Sequence, residues 1–78
     1  MPRYFFNARE GAEVTRDETG VELTDLSAAR KVAVRALTER AEDILPDDGS
    51  HKDMVIEVTN EAGEPLFEAS LKFRLTLD

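Results

Sequence analysis

The segment LFEASLKFRLTL, residues 66–77, decides the fold, because its side chains alternate in character along its length. From Phe67 onward the odd-numbered positions are apolar, and the even-numbered positions are charged or polar. A period of two is the spacing of a β-strand with one buried face and one wet face. The segment therefore predicts a long strand that contributes one face to the core.

Three further segments have the composition of strands, namely residues 3–9 (RYFFNAR), 12–23 (AEVTRDETGVEL) and 54–60 (MVIEVTN). In the first of them Tyr4 and Phe6 share one face, while Phe5 points to the other. The second contains the turn-like run RDETG, in which Gly20 can supply a positive φ. Polar runs at residues 46–53 and 61–65 predict a loop and a turn.

Residues 24–46 (TDLSAARKVAVRALTERAEDILP) predict the chain's helix. Thr24 or Asp25 can cap its first N–H groups, and Pro46 ends it near Leu45. At 100° per residue one stripe of the helix is apolar. That stripe consists of Leu26, Ala29, Ala33, Leu37, Ala41 and Ile44.

The predicted order of elements is β-β-α-β-β. The simplest way to bury each apolar face is one helix packed on one face of a four-stranded, mainly antiparallel sheet, which is a two-layer α+β sandwich. The chain of 78 residues predicts a single domain over residues 1–78. The periodicity does not predict the order of the strands within the sheet.

Composition narrows the class of protein. The net charge of −7 disfavours indiscriminate binding to nucleic acid. No apolar run approaches the length of a membrane helix, and the opening MPRYFFNARE is not typical of a signal peptide. The absence of cysteine is compatible with a reducing compartment, so we expect a cytoplasmic protein that makes no membrane contact.

The residues do not predict an enzyme. The chain has a single histidine, His51, and its acidic pairs lie in turns or at a helix end. The acidic loop at 47–53 offers Asp47, Asp48, His51 and Asp53, but lacks the spacing of a calcium or zinc site. The four glycines of the chain are isolated from one another, so no glycine-rich phosphate-binding loop is expected. We therefore predict no catalytic, metal or cofactor-binding residues.

Basic residues of the helix are one candidate interaction site. Arg30, Lys31 and Arg35 occur in a stretch without acids, whereas residues 39–68 hold ten acids against Arg40 and Lys52. The simplest interpretation is that long side chains cover the edge of the core and carry their charges to water. The alternatives are that Arg30 contacts a carboxylate on the sheet, or that the three bases receive an acidic partner, including a second copy of the chain.

The sheet is the other candidate. Phe5 and Val55 point away from the helix and form a small apolar patch if they lie on neighbouring strands. A long final strand can also present a free edge for strand addition. These features predict a non-catalytic module that binds a protein partner or forms a homodimer. The alternative is a nucleic-acid-linked regulator or antitoxin-like protein, which requires a basic stripe with stacking aromatics.

Several short motifs occur together in one order: MPRYFF at residues 1–6, RDETGVEL at 16–23, DLSAAR at 25–30 and a terminal β-hairpin. In this respect the chain resembles a family of small, mostly alphaproteobacterial proteins of unknown function, with the pattern MPRYFF…VELxDLxxAR. The resemblance implies a bacterial cytoplasmic protein with the fold described above. It implies no catalytic or binding residues.

Overall fold

A computed structural model describes the backbone of residues 1–43 and 51–74 and the side chains of residues 1–40 and 53–72. Within these ranges the chain forms one helix and five strands. The elements in chain order are β1 (Arg3–Glu10), β2 (Glu13–Thr15), β3 (Val21–Glu22), α1 (Leu26–Asp43), β4 (His51–Thr59) and β5 (Pro65–Arg74). The predicted α+β class is confirmed.

The described strands form one antiparallel sheet in the order β2-β1-β4-β5, and β3 pairs with β1. A two-residue loop joins β1 to β2, with Gly11 at φ 58° and Ala12 at negative φ. Glycine at the first central position is the requirement of a type II′ hairpin turn. The turn between β4 and β5 is held by Asn60, whose side-chain oxygen accepts the N–H groups of Ala62 and Glu64.

Helix α1 begins where the sequence predicts. The carboxylate of Asp25 accepts the N–H of Ala28 at 2.9 Å, so Asp25 is the cap. The predicted end near Leu45 lies outside the described residues. Leu26, Ala29, Ala33 and Leu37 face the core as expected, whereas Ala41 and Ile44 fall outside the described side chains.

The core lies between α1 and one face of the sheet. The small side chains of Ala29 and Ala33 are fully buried and bring the helix close to the strands. Val58 at the centre of the sheet is also fully buried. The core residues are Tyr4, Ala29, Ala33, Leu37, Met54, Ile56 and Val58, with Phe6, Ala8, Phe67, Ala69 and Leu71 packed partly buried against them. The predicted inner faces are thus confirmed for Tyr4, Phe6 and Ala8 of the first strand and for Phe67, Ala69 and Leu71 of the last. Phe73, Leu75 and Leu77 lie outside the described side chains.

Two predictions about the strands are wrong. The predicted strand at 12–23 is divided into β2 and β3, so the sheet has five strands and the order is β-β-β-α-β-β. Opposite β1, the chain takes six steps from Thr15 to Val21 while β1 takes four from Ala8 to Tyr4. The two extra residues leave the ladder and form a loop.

The second error concerns the run at 46–53, which was expected to be a loop throughout. His51, Lys52 and Asp53 instead belong to β4, where they pair with Arg74, Phe73 and Lys72. The long final strand supplies partners for these polar residues, and pairing with it overrides their low strand propensity.

Candidate interaction site

The outer edge of β1 is closed by a side chain. The carboxylate of Asp17 accepts the N–H of Phe6 in β1 at 3.1 Å, and also the N–H groups of Thr19 and Gly20 at 3.1 and 3.0 Å. In return, the side-chain oxygen of Asn7 accepts the N–H of Asp17 at 3.0 Å. Asp17 thus takes the place of a strand residue in the gap between β2 and β3. Because the main-chain N–H of Phe6 is bound by Asp17, a strand arriving at this edge of β1 cannot bind it.

Electrostatics reinforce this closure. Partial burial opposes the ionisation of Asp17, but the hydrogen bonds from Gly20, Phe6 and Thr19 outweigh it and hold the pKa of the carboxyl below its ordinary value. The ionised form is therefore the one that the loop stabilises.

The loop is also tightly packed. Gly20 has φ 75°, and a Cβ at this position would approach Arg3 Cγ to 2.8 Å and Phe5 Cε2 to 2.9 Å. The Arg3 guanidinium donates to the carbonyl oxygen of Thr19 at 2.9 Å and pairs with Glu22 at 3.1 Å. Only glycine fits this position without displacement, which fixes the loop over this end of β1.

The opposite edge of the sheet differs. We define the β5 edge as the side of β5 that faces away from β4. Strand β5 has ten residues, and none of the described strands pairs along this edge. The pairing of β5 with β4 is irregular near the turn, because Val58 pairs with Phe67 but the next residue, Thr59, pairs with Pro65. From Phe67 to Arg74 the pairing is regular. A proline at the start of an edge strand is compatible with pairing farther along.

The direction of the main-chain groups on the β5 edge follows from the register. The N–H of Gly11 donates to the carbonyl oxygen of Asp53 at 3.4 Å, so Asp53 turns its main-chain groups toward β1. These groups alternate sides along an antiparallel strand, so Met54 turns its own toward β5, and Leu71, which pairs with Met54, faces β4. The N–H and C=O groups of Glu68, Ser70 and Lys72 consequently point outward from the sheet.

The same three residues carry exposed side chains on the face of the sheet opposite α1, which we call the open face. In β4, Glu68 stands opposite Glu57 and Lys72 stands opposite Asp53. The first pair brings like charges together, and the second brings opposite charges together. On the helix side, Phe67, Ala69 and Leu71 are only partly buried. The β5 edge therefore combines outward main-chain groups with which no described strand pairs, charges of both signs and partly exposed apolar surface.

Phe5 and Val55 lie on neighbouring strands but not side by side. Phe5 stands opposite Thr59, and Val55 stands opposite Arg9. They are thus separated along the sheet by about 13 Å, the length of four strand residues. Phe5 also lies against Gly20, so the loop of the chain itself covers part of its ring.

The helix bases are separate from the sheet. Arg30, Lys31 and Arg35 are exposed, and Val34 between them is 58 % exposed. The contact with a sheet carboxylate that the sequence suggested for Arg30 is made instead by Arg40, whose guanidinium pairs with Glu10 of β1.

Clefts adjoin both faces of the sheet. One of about 270 Å³ lies between α1 and β1, with an apolar floor that includes Leu37, Met54 and Ile56 and the Arg40–Glu10 ion pair at its rim. A smaller one of about 120 Å³ on the open face is lined by residues that include Arg9, Arg16, Glu57 and Glu68. Neither brings together a set of groups that resembles a catalytic site.

Metal binding has no support in the described part of the chain, where no three potential ligands cluster. Of the suggested acidic loop, Asp47, Asp48 and the side chain of His51 lie outside the described residues, and Asp53 is exposed in β4. Within the described ranges, α1 is not apolar enough to cross a membrane.

Sequence reasoning missed two features. It assigned RDETG to a turn without foreseeing that Asp17 binds the backbone of Phe6. It also placed Glu68, Ser70 and Lys72 on a wet face without recognising that their main-chain groups point away from β4. The signal for the second feature was the uninterrupted alternation of β5, which has none of the interruptions that mark the β2–β3 side.

Comparison with protein-family models matches residues 3–72 to the Domain of unknown function (DUF6894). Because the match covers most of the chain, the chain belongs to this family. The resemblance drawn from the motifs, to a small family without an assigned function, agrees with this description. Searches of the curated proteins and of the solved structures found no match.

Proposed function

We propose that this member of the DUF6894 family is a non-catalytic interaction module that associates through the β5 edge, with a second copy of itself as the partner. The observation that carries the proposal is the contrast between the two edges. On one side, β2 and β3 are three and two residues long, and Asp17 fills the gap between them. On the other side, β5 runs for ten residues with outward main-chain groups.

Strand addition suits such an edge. Unpaired N–H and C=O groups of an edge strand are a template for another strand, and proteins that avoid association shorten, bend or cover their edges. In strand addition the main-chain hydrogen bonds supply affinity and the alternating side chains supply specificity. Phe67 and Leu71 would gain burial from a neighbouring strand. A domain of 78 residues has a small core, so association also adds to its stability.

The proposal includes two predictions made from the sequence, a two-layer sandwich and a bacterial cytoplasmic location. A two-layer sandwich with α1 on one face of the sheet leaves the open face to a partner. The absence of cysteine is compatible with a bacterial cytoplasm, and the motif pattern resembles alphaproteobacterial proteins.

Nucleic-acid binding is the less favoured alternative. It requires a basic open face with accessible aromatic rings. The groove on the open face mixes Arg9 and Arg16 with Glu57 and Glu68, and Phe5 lies against Gly20. This mixture of charges suits a protein surface better than a phosphate backbone.

The test is a proline at the centre of the edge. Because the N–H of Ser70 points outward, Ser70→Pro removes no hydrogen bond to β4 but blocks a strand arriving from outside. The matched control is Ser70→Thr, which keeps the N–H and has high strand propensity. Sedimentation velocity over about 10 µM to 1 mM covers the weak affinities expected of a small interface.

We expect the wild type and Ser70→Thr to form dimers as concentration rises, and Ser70→Pro to remain a monomer of 8.7 kDa. Circular dichroism and thermal unfolding at low concentration check that the proline variant is folded. The proposal fails if the wild type is a monomer throughout, or if folded Ser70→Pro associates as strongly as the control.

A further inference from the structure

The sequence of β5 is nearly symmetric about Ser70. Residues 67–73 read FEASLKF: an aromatic residue at each end, a charge next to each end, an aliphatic residue on each side of the serine. The two charges, Glu68 and Lys72, have opposite sign. We infer that two copies pair antiparallel along the β5 edge in the register centred on Ser70, with Glu68 of each copy opposite Lys72 of the other. This inference rests on the function proposed above.

The main chain permits this register. Glu68, Ser70 and Lys72 all turn their N–H and C=O groups outward, as derived from the Gly11–Asp53 hydrogen bond and the β4–β5 register. Pairing about Ser70 therefore creates three successive hydrogen-bonded residue pairs: Ser70 with its own counterpart, and Glu68 with Lys72 on either side. Residues in such a pair exchange two hydrogen bonds.

The side chains select this register from its neighbours. Centring on Glu68 or on Lys72 places that residue opposite its own counterpart, which brings like charges together. Centring on Ala69 places Glu68 opposite Ser70 and leaves both charges without a partner. Centring on Leu71 pairs Glu68 with Arg74 but leaves Lys72 opposite Ser70. Only the Ser70 register matches both charges of the exposed edge.

The helix side of the sheet is equally compatible. Ala69 comes opposite Leu71, so a small side chain meets a large one, and both are partly exposed in the single chain. Phe67 comes opposite position 73, also phenylalanine. Cross-strand aromatic and aliphatic pairs stabilise antiparallel sheets.

The two-fold axis of this dimer is perpendicular to the sheet and passes between the two serines. The sheet then runs without a break through both copies, and the two α1 helices lie on the same side of it. The inferred contact is isologous, so it closes at the dimer and leaves the two Asp17-capped edges on the outside.

Charge reversal provides the test. Glu68→Lys and Lys72→Glu each turn both symmetric attractions into repulsions. We expect each to raise the dimer dissociation constant by at least about tenfold. The double variant Glu68→Lys/Lys72→Glu exchanges the signs and restores the affinity. Arg74→Glu is the matched control, because its position meets a charge only in the register centred on Leu71.

The two single variants should have opposite effects on the stability of the monomer. A common loss of affinity therefore cannot be explained by a common loss of stability. Glu68→Lys removes a like-charge pair with Glu57, and Lys72→Glu creates one with Asp53. We expect the first to stabilise the monomer and the second to destabilise it, although both weaken the dimer. Unfolding at concentrations below the dissociation constant measures this difference.

Sedimentation velocity of the four variants at low salt gives the decision. Weakening by both single reversals, recovery in the double variant and an unchanged Arg74→Glu support the inferred register. Failure of the double variant to recover, or loss of affinity in Arg74→Glu alone, overturns it. If Ser70→Pro still abolishes association in that case, the proposed function stands and only the register is wrong.

Discussion

Replacing Asp17 by asparagine removes one acceptor while preserving the size of the side chain. The Oδ1 atom of Asp17 accepts from Thr19 and Gly20, and Oδ2 accepts from Phe6. Asparagine can keep the Oδ1 role, but its amide nitrogen then faces the N–H of Phe6, and two donors meet. A hydrogen bond to a charged group contributes about 1.5–3 kcal/mol, and an unsatisfied partly buried donor costs about 1–3 kcal/mol. We therefore expect Asp17→Asn to lower the free energy of unfolding by about 2 kcal/mol.

The assay is chemical and thermal unfolding followed by circular dichroism, with Glu18→Gln as the matched control. Glu18 is exposed in the same loop, and its substitution removes the same charge. For a domain of this size about 2 kcal/mol corresponds to a decrease in melting temperature of about 8–16 °C. An Asp17→Asn variant as stable as Glu18→Gln would refute the assignment of Asp17 as the closure of this edge.

The pH dependence gives an independent check on the same residue. The pKa of Asp17 is lower in the folded chain than its ordinary value of 3.8, because the backbone donors favour the ionised form. This stabilisation is fully present above the unfolded-state pKa and is lost as pH falls through the folded-state value. The difference in stability between the wild type and Asp17→Asn should thus be constant near neutral pH and narrow below about pH 4. A difference that does not narrow in acid contradicts this origin.

Four further variants test other parts of the structure. Gly20→Ala should lower the free energy of unfolding by about 2 kcal/mol, because the added Cβ clashes with Arg3 and Phe5 and the φ is unfavourable for alanine. Gly63→Ala is the control and should cost about 1 kcal/mol, because its φ is also positive but a Cβ there meets nothing within 4 Å. Equal losses of stability in a denaturant titration would contradict the packing at Gly20. Val58→Ala should lower the free energy of unfolding by about 2 kcal/mol, because the side chain is fully buried at the centre of the core, and a loss below about 0.5 kcal/mol would contradict that position. Lys31→Glu/Arg35→Glu should leave self-association unchanged in sedimentation velocity, because these bases lie on α1 and not on the β5 edge; weakened association would instead favour the helix as the contact surface.

Local periodicity identified most of the fold. The alternation at 66–77 and the aromatic run at 3–9 predicted strands whose inner faces the structure confirms over the described side chains. The pair Thr24-Asp25 predicted the start of α1, and the structure assigns the cap to Asp25. Such features depend on neighbours within one turn or one strand. The division of β2 from β3 depends instead on a contact between Asp17 and Phe6, eleven residues apart along the chain. No local pattern of residues specifies that contact.

The candidate site was harder to predict for a related reason. Periodicity assigns residues to a face of the sheet but does not assign neighbours to a strand. Whether the N–H of Ser70 points to β4 or to solvent depends on the register of β4 against both of its partners. The near-symmetry of residues 67–73 is visible in the sequence, but it acquires a meaning only when β5 is known to be an edge.

Amide hydrogen exchange, resolved by residue in NMR spectra at low and high protein concentration, tests the difference between the two edges most directly. At low concentration we expect the Phe6 amide to be protected by Asp17, and the amides of Glu68, Ser70 and Lys72 to exchange freely. At high concentration these three should become protected together. Slow exchange of the three amides in the dilute monomer, or free exchange at every concentration, would contradict an open β5 edge that takes up a second strand.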